Sequence, residues 1–253
     1  MPLTFSHVAA ILPAGSWRRA HTANARFASR FVDVPALAIG AMAPDGSYVI
    51  ALAGPYVEMH TLSGTVLAAW PLALVAYALY RFRLCRPWHQ LLPWLDDGGG
   101  PRRPAAVFAG TLVGVLTHYV WDAFTHVDGA AVLQWPWLSH PWTLGPWQGP
   151  LCDALQDASS VVGAAVLAYA IARTIRSQRN GCFTTSWPKL FALLGAFTIL
   201  WLLIGAAVHP SAVALPPREY ASQLAFAGLG ATALVFVAYG FLAQVPLVAA
   251  QRK

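Results

Sequence analysis

Ala105–His126 reads AAVFAGTLVGVLTHYVWDAFTH, and this stretch decides the fold class. Crossing hydrocarbon as a helix takes about 20 apolar residues, and Ala105–Phe124 supplies that length without a basic residue. Toward its end, THYVWDAFTH places His118, Asp122 and His126 four residues apart. On a helix turning about 100° per residue, Thr111, Gly114, His118, Asp122 and Thr125 gather within about 60° of one another, while Val113, Leu116, Val120, Ala123 and Val127 lie opposite. One face is built for protein and the other for lipid. An Asp inside a membrane helix costs about 2.5–3.5 kcal/mol on insertion scales, so such residues turn to the bundle interior and mark functional paths.

The chain on either side repeats the apolar pattern. Of 253 residues, 57% are hydrophobic and 10% charged, against about 25% charged in soluble domains. Further runs lie at Val34–Ala53, Thr61–Tyr80, Leu155–Ile175, Leu190–Val208 and Ala221–Leu247. The expectation is an all-α polytopic membrane bundle of about six transmembrane helices, the first interrupted by Pro44, Asp45, Gly46 and Ser47. It forms a single membrane domain over residues 1–253: an interfacial segment at 1–31, motif-bearing spans in 32–175, and two packing spans with a tail in 176–253. Leu3–Ala14, with His7 inside it, is too short to span, and no basic n-region of a signal peptide precedes it.

The net charge of +6 does not point to nucleic acid, because its placement follows the positive-inside rule. Basic residues cluster before the first span, between the second and third, between the fourth and fifth, and after the sixth; only Arg218 falls on the other side. Both termini are therefore expected in the cytoplasm, with membrane lipid as the partner and a bacterial inner membrane as the location. Cys85, Cys152 and Cys182 have neither CxxC spacing nor an even count, which argues against a thiolate metal site or a disulfide framework. The loop Arg81–Pro104, with DDGGGP inside it, reads as a linker. The loop Val127–Ala154 carries Trp135, Trp137, Trp142 and Trp147 among prolines and reads as an interfacial belt, or as a lid over a site beneath.

The chemistry follows from spacing and depth. His118 and Asp122 lie about 6 Å apart along a helix axis, close enough to meet one ion, and His126 lies about 12 Å from His118. Either His126 belongs to a second site, or the helix ends near Phe124 and lets it fold back. Asp45 sits at the height of His118; His60 opens the second span level with His126; Gln156 and Asp157 open the fourth. These positions converge on one extracytoplasmic-facing pocket. Asp45, His60, His118, Asp122 and His126 are the candidate ligands of a divalent metal: zinc, or manganese or iron where carboxylates dominate. Such an ion polarises a scissile group and activates water, with Asp157 or His126 as the catalytic base. Plainer readings stand beside these: Asp45 caps a broken helix, His60 is a surface residue, His118 and Asp122 form a pair that only fixes packing, and His7 is interfacial. The function is accordingly metal-dependent hydrolysis of a lipid or lipid-linked ester, proton- or cation-coupled transport, or a non-catalytic membrane scaffold.

MPLTFSHVAAILP at the start, AIGAMAPDGSYV at Ala38–Val49, His60-Thr61, THYVWDAFTH, and LQDASSVVG at Leu155–Gly163 together resemble the bacterial membrane proteins grouped as domain of unknown function 4184, over roughly the first two thirds of the chain. The HxxxD motif followed by Thr, and the early Pro44-Asp45, are also similar to YdjM-type membrane-bound proteins described as metal-dependent hydrolases. The resemblance implies a metal hydrolase, with His7, Asp45, His60, His118, Asp122 and His126 as shared positions. Two departures weigh against a two-metal site: Asp157 stands where that family often has His, and Gly46-Ser47-Tyr48 where a second acid is common.

Overall fold

The computed structural model describes residues 7–9, 33–51, 57–92, 103–144, 147–178, 186–208 and 217–244. Five helices among them are long and apolar enough to cross a membrane: Leu62–Leu91, Pro104–Thr125, Leu151–Arg173, Pro188–Ala207 and Gln223–Leu242. The protein is an all-α membrane bundle. The sequence stretch read as a first span is instead two short helices, α1 (Val34–Met42) and α2 (Gly46–Ala51), separated by the turn Ala43–Asp45. Pro44 explains the break, since it has no backbone N–H to donate to the Gly40 carbonyl and continue α1; that carbonyl accepts from Ala43 N at 3.2 Å instead. Asp33 caps α1 by accepting from Ala36 N at 3.0 Å, with Pro35 in the first turn.

The following elements are α3 (Leu62–Leu91), α4 (Pro104–Thr125), α5 (Ala130–Gln134), the strands β1 (Pro141–Leu144) and β2 (Trp147–Pro150), α6 (Leu151–Gln178), α7 (Trp187–Val208) and α8 (Pro217–Leu242). α3 corrects the linker expectation. It continues past Tyr80 to Leu91 through a π turn at Tyr80–Leu84, a second π turn lying at Thr65–Ala69. Leu84, Trp88 and Leu91 recur at helical spacing and are buried together, so the segment does carry a core-forming pattern. The DDGGGP stretch lies outside the described residues, as do all of the N-terminal segment except 7–9 and the C-terminal tail.

The chain divides into two compact units. The first comprises Met1–Ser47, Val57–Val75 and Pro101–Ala172. Here α1 and α4 touch backbone to backbone. A Cβ on Gly40 would collide with the Thr111 carbonyl, and one on Gly114 with the Leu37 carbonyl. Gly110 and Gly114 form the small-xxx-small spacing that lets membrane helices approach this closely. Trp70 Nε1 on α3 donates to Thr111 Oγ1 at 3.1 Å. The loop after α4 folds on itself: Val132, Leu138 and Cys152 form a small core against Phe124, and β1 pairs antiparallel with β2, Trp142 opposite Gly149. Trp135, Trp137 and Trp142 stay exposed, as interfacial anchors would.

The second unit comprises Tyr48–Tyr56, Ala76–Gly100 and Arg173–Lys253. Its core sets Trp88 face to face with Phe236, ring centroids 4.6 Å apart. α7 and α8 are joined where Trp201 Nε1 donates to the Leu224 carbonyl at 2.7 Å. Cys85 here, and Cys152 in the first unit, are buried thiols outside any disulfide.

Candidate metal centre

α4 turns its polar stripe inward. Thr111, Gly114, His118, Asp122 and Thr125 are all buried, while Val113, Val120 and Val127 are exposed, the phase that the sequence predicts. Because α1 lies against the glycines of α4, the carbonyl at its C-terminal end reaches the next turn: His118 Nδ1 is 2.7 Å from Ala41 O. A carbonyl only accepts, so Nδ1 carries a proton, and in the neutral ring the lone pair is on Nε2.

That Nε2 faces two carboxylates, Asp122 Oδ2 at 3.0 Å and Asp45 Oδ1 at 3.7 Å. The break at Pro44 is what presents Asp45, the last residue of the turn before α2. His60, just ahead of α3, points Nε2 at the same pair, 3.5 Å from Asp45 Oδ1 and 3.7 Å from Asp122 Oδ2. His7 stacks on His118 with centroids 4.0 Å apart, its Nε2 3.8 Å from Asp122 Oδ1. α4 stops at Thr125, and His126 adopts extended backbone at φ −111°, ψ 141°. Its ring thereby folds back, placing Nδ1 3.7 Å from Asp122 Oδ1. The termination of α4 at Thr125 lets His126 join the same cluster, where a straight helix would have held it about 12 Å from His118.

His118 Nε2 and Asp122 Oδ2 pair with each other at 3.0 Å, while Nε2 of His7 and of His126 and Oδ1 of Asp122 are buried without a hydrogen-bond partner. Buried polar groups are normally satisfied, so His7 Nε2 and Asp122 Oδ1, facing each other at 3.8 Å with no partner, call for a ligand. A cation fits. The ligand atoms of His7, His118 and Asp122 all lie within 4.8 Å of one another, and so do those of Asp45, His60 and His118. Bonds of about 2.1 Å to zinc give ligand edges of about 3.0 Å in an octahedron and about 3.4 Å in a tetrahedron. The closest contacts in the cluster, 3.0 Å for His118 with Asp122 and 3.5 Å for His60 with Asp45, are near those edges. Two carboxylates, when ionised, also carry the charge that a divalent ion neutralises. Both groups use His118 Nε2, which has one lone pair, so together they would serve one ion rather than two.

Of the five ligands expected from the sequence, Asp45, His60, His118 and Asp122 fall in these two groups, and His126 lies beside them in neither. Asp157 is exposed on α6 and belongs to neither group, while its neighbour Gln156 is buried. Spacing alone missed three contributors. His7 reads as interfacial because a lone histidine in a short apolar run has no periodic partner; only the resemblance singled it out. The Ala41 carbonyl is backbone and leaves no trace in residue identity. Glu58 Oε1, which accepts from His60 N at 2.7 Å, lies in a turn with no recognisable pattern.

No curated protein and no solved structure matches the chain. One family model does match, over residues 1–248, and so takes in α7 and α8 as well as the two thirds that carry the quoted motifs. The chain belongs to the family described as Domain of unknown function (DUF4184).

Proposed function

We propose that this membrane protein holds one divalent transition-metal ion between His7, Asp45, His60, His118 and Asp122, with His126 beside it, and uses the ion to hydrolyse a lipid or lipid-linked ester. One observation carries the reading: His118 Nε2 with Asp122 Oδ2 at 3.0 Å and His60 Nε2 with Asp45 Oδ1 at 3.5 Å lie near ligand-edge distances, beside His7 Nε2 and Asp122 Oδ1, which are buried without a hydrogen-bond partner. Zinc suits a nitrogen-rich set of this kind, and manganese or iron a set in which both carboxylates bind. The ion, when bound, would supply a Lewis acid for the scissile group. The chain's own residues orient the ligands, exclude water from the deep side at His7 and His118, and leave the His60 and His126 side partly open, their side chains 18% and 24% exposed. His126 remains the candidate base on that open side.

Elemental analysis of detergent-purified protein by plasma mass spectrometry tests the metal. Wild type should carry about one ion per chain, and His118→Ala none; an unchanged content in His118→Ala defeats the assignment. Turnover of lipid esters and lipid-linked phosphoesters, lost in Asp122→Asn, tests the chemistry separately. Metal without turnover of any of these substrates would leave the centre standing and remove the hydrolase.

The rival readings fare worse on particular residues. Transport needs the polar path to continue along α4 away from Asp122. There Gly110 and Gly114 are pressed against α1, and Thr111 is engaged with Trp70 and with the carbonyls of its own helix. A packing device would satisfy its polar atoms internally; His118 is satisfied in that way, whereas Nε2 of His7 and of His126 and Oδ1 of Asp122 are buried without a hydrogen-bond partner.

A further inference from the structure

The two histidines that face Asp45 are held in different ways. In His118 the Nδ1–H is fixed by the Ala41 carbonyl at 2.7 Å. His60 has a carboxylate in the corresponding place: Glu58 Oε1 lies 3.8 Å from its Nδ1, on the side of the ring away from the cluster, while Nε2 faces Asp45 and Asp122. We propose that Glu58 is the positioning residue of His60, accepting from its Nδ1–H so that the Nε2 lone pair stays turned toward the ion. This inference rests on the metal centre proposed above.

The turn around His60 is wound tightly enough to make that role specific. The same Glu58 oxygen accepts from His60 N at 2.7 Å. The Met59 carbonyl accepts from Thr65 Oγ1 at 3.1 Å, and Thr61 caps α3 by accepting from Gly64 N at 3.0 Å. Gly64 is pressed against the Glu58 carbonyl, with no room for a Cβ. The backbone on both sides of His60 is therefore fixed, and its side-chain contacts set the orientation of the ring and its tautomer. Glu58 acts on both from the open edge of the site, where its side chain is 53% exposed. A carboxylate behind a ligating histidine fixes its tautomer and raises its basicity, and losing such a partner typically costs 10–100-fold in metal affinity.

Two readouts on the full chain in detergent test this. In protein labelled with 15N at histidine, at a pH where the imidazoles are neutral, His60 is assigned by its absence from His60→Ala. Its ring should be Nδ1–H in wild type, a mixture of tautomers in Glu58→Ala, and Nδ1–H again in Glu58→Gln, whose amide oxygen still accepts. With Co2+ as the probe, Glu58→Ala should raise Kd about 10–100-fold, and should add nothing in a His60→Ala background, since the effect passes through that ring. An unchanged His60 tautomer in Glu58→Ala, or an equal loss of affinity when His60 is already absent, overturns the proposal. If no variant binds Co2+, the metal reading fails alone, and the tautomer still decides the role of Glu58.

Discussion

α4 and α7 are both 22-residue membrane helices, and they bury themselves in opposite ways. α4 hides a third of its length behind a stripe of Gly, Thr, His and Asp. On α7 no described residue is buried: Phe191, Leu194, Ile199, Leu202 and Leu203 are each more than half exposed. On α7 the Thr198 hydroxyl is satisfied within its own helix, donating to Leu194 O at 2.9 Å, and the Trp201 indole bonds across to α8. Thr111 on α4 does the same with Val107 O and also accepts from Trp70. Hydrophobicity alone therefore says that a helix enters the membrane but not what it does there. Without a hydrophobic force between helices in lipid, close contact comes from small residues and polar bonds; α4 has both, where α7 joins α8 through the Trp201 indole and otherwise offers an apolar surface.

The largest expected effect attacks that contact. Gly114→Leu would drive a side chain into the Leu37 and Gly40 backbone, at the upper end of overpacking costs, about 3 kcal/mol. It would also carry the Ala41 carbonyl away from His118. Thermal unfolding in detergent should show a large drop in Tm, and plasma mass spectrometry a loss of metal although every ligand is intact. Retention of both would mean that the α1–α4 contact does not build the site.

The sequence carried the helical face of α4 because period 3.6 is printed in residue type: Thr111, Gly114, His118 and Asp122 repeat at three and four. It carried Asp45 and His60 through depth, since the starts and ends of apolar runs put them at one level. What it could not carry is set by backbone and by chain reversal. The first span broke because of a single proline, and α3 outran its apolar window because amphipathic turns near Leu84 and Trp88 bury one face without being uniformly apolar. His7 depends on where a segment folds back, which no local pattern encodes. His126 turned on one residue of helix length, finer than apolar patterning resolves.

A smaller effect sharpens the comparison from the α3 side. Trp70→Phe removes the indole donor to Thr111 but keeps the ring against Phe108, now 6.1 Å between centroids. Hydrogen bonds between membrane helices average about 0.6 kcal/mol, so Tm should fall slightly and metal content stay whole. Metal lost in Trp70→Phe would instead make this bond part of what positions the ligands.

The smallest effect is expected on α7. A Cβ on Gly195 would meet nothing within 4 Å, so Gly195→Ala should change stability by less than about 0.5 kcal/mol, as surface substitutions do. The added methyl gains only contact with acyl chains, and the glycine it replaces supports no close approach. Set beside Gly114→Leu, this separates two meanings of glycine in a membrane helix: one kept for contact, the other merely permitted. If Gly195→Ala lowered Tm as far as Gly114→Leu, the bare face of α7 would have to be covered in the membrane by another protein surface. Crosslinking from single cysteines at Leu194 and Leu202 would then show whether that surface is a second copy of this chain.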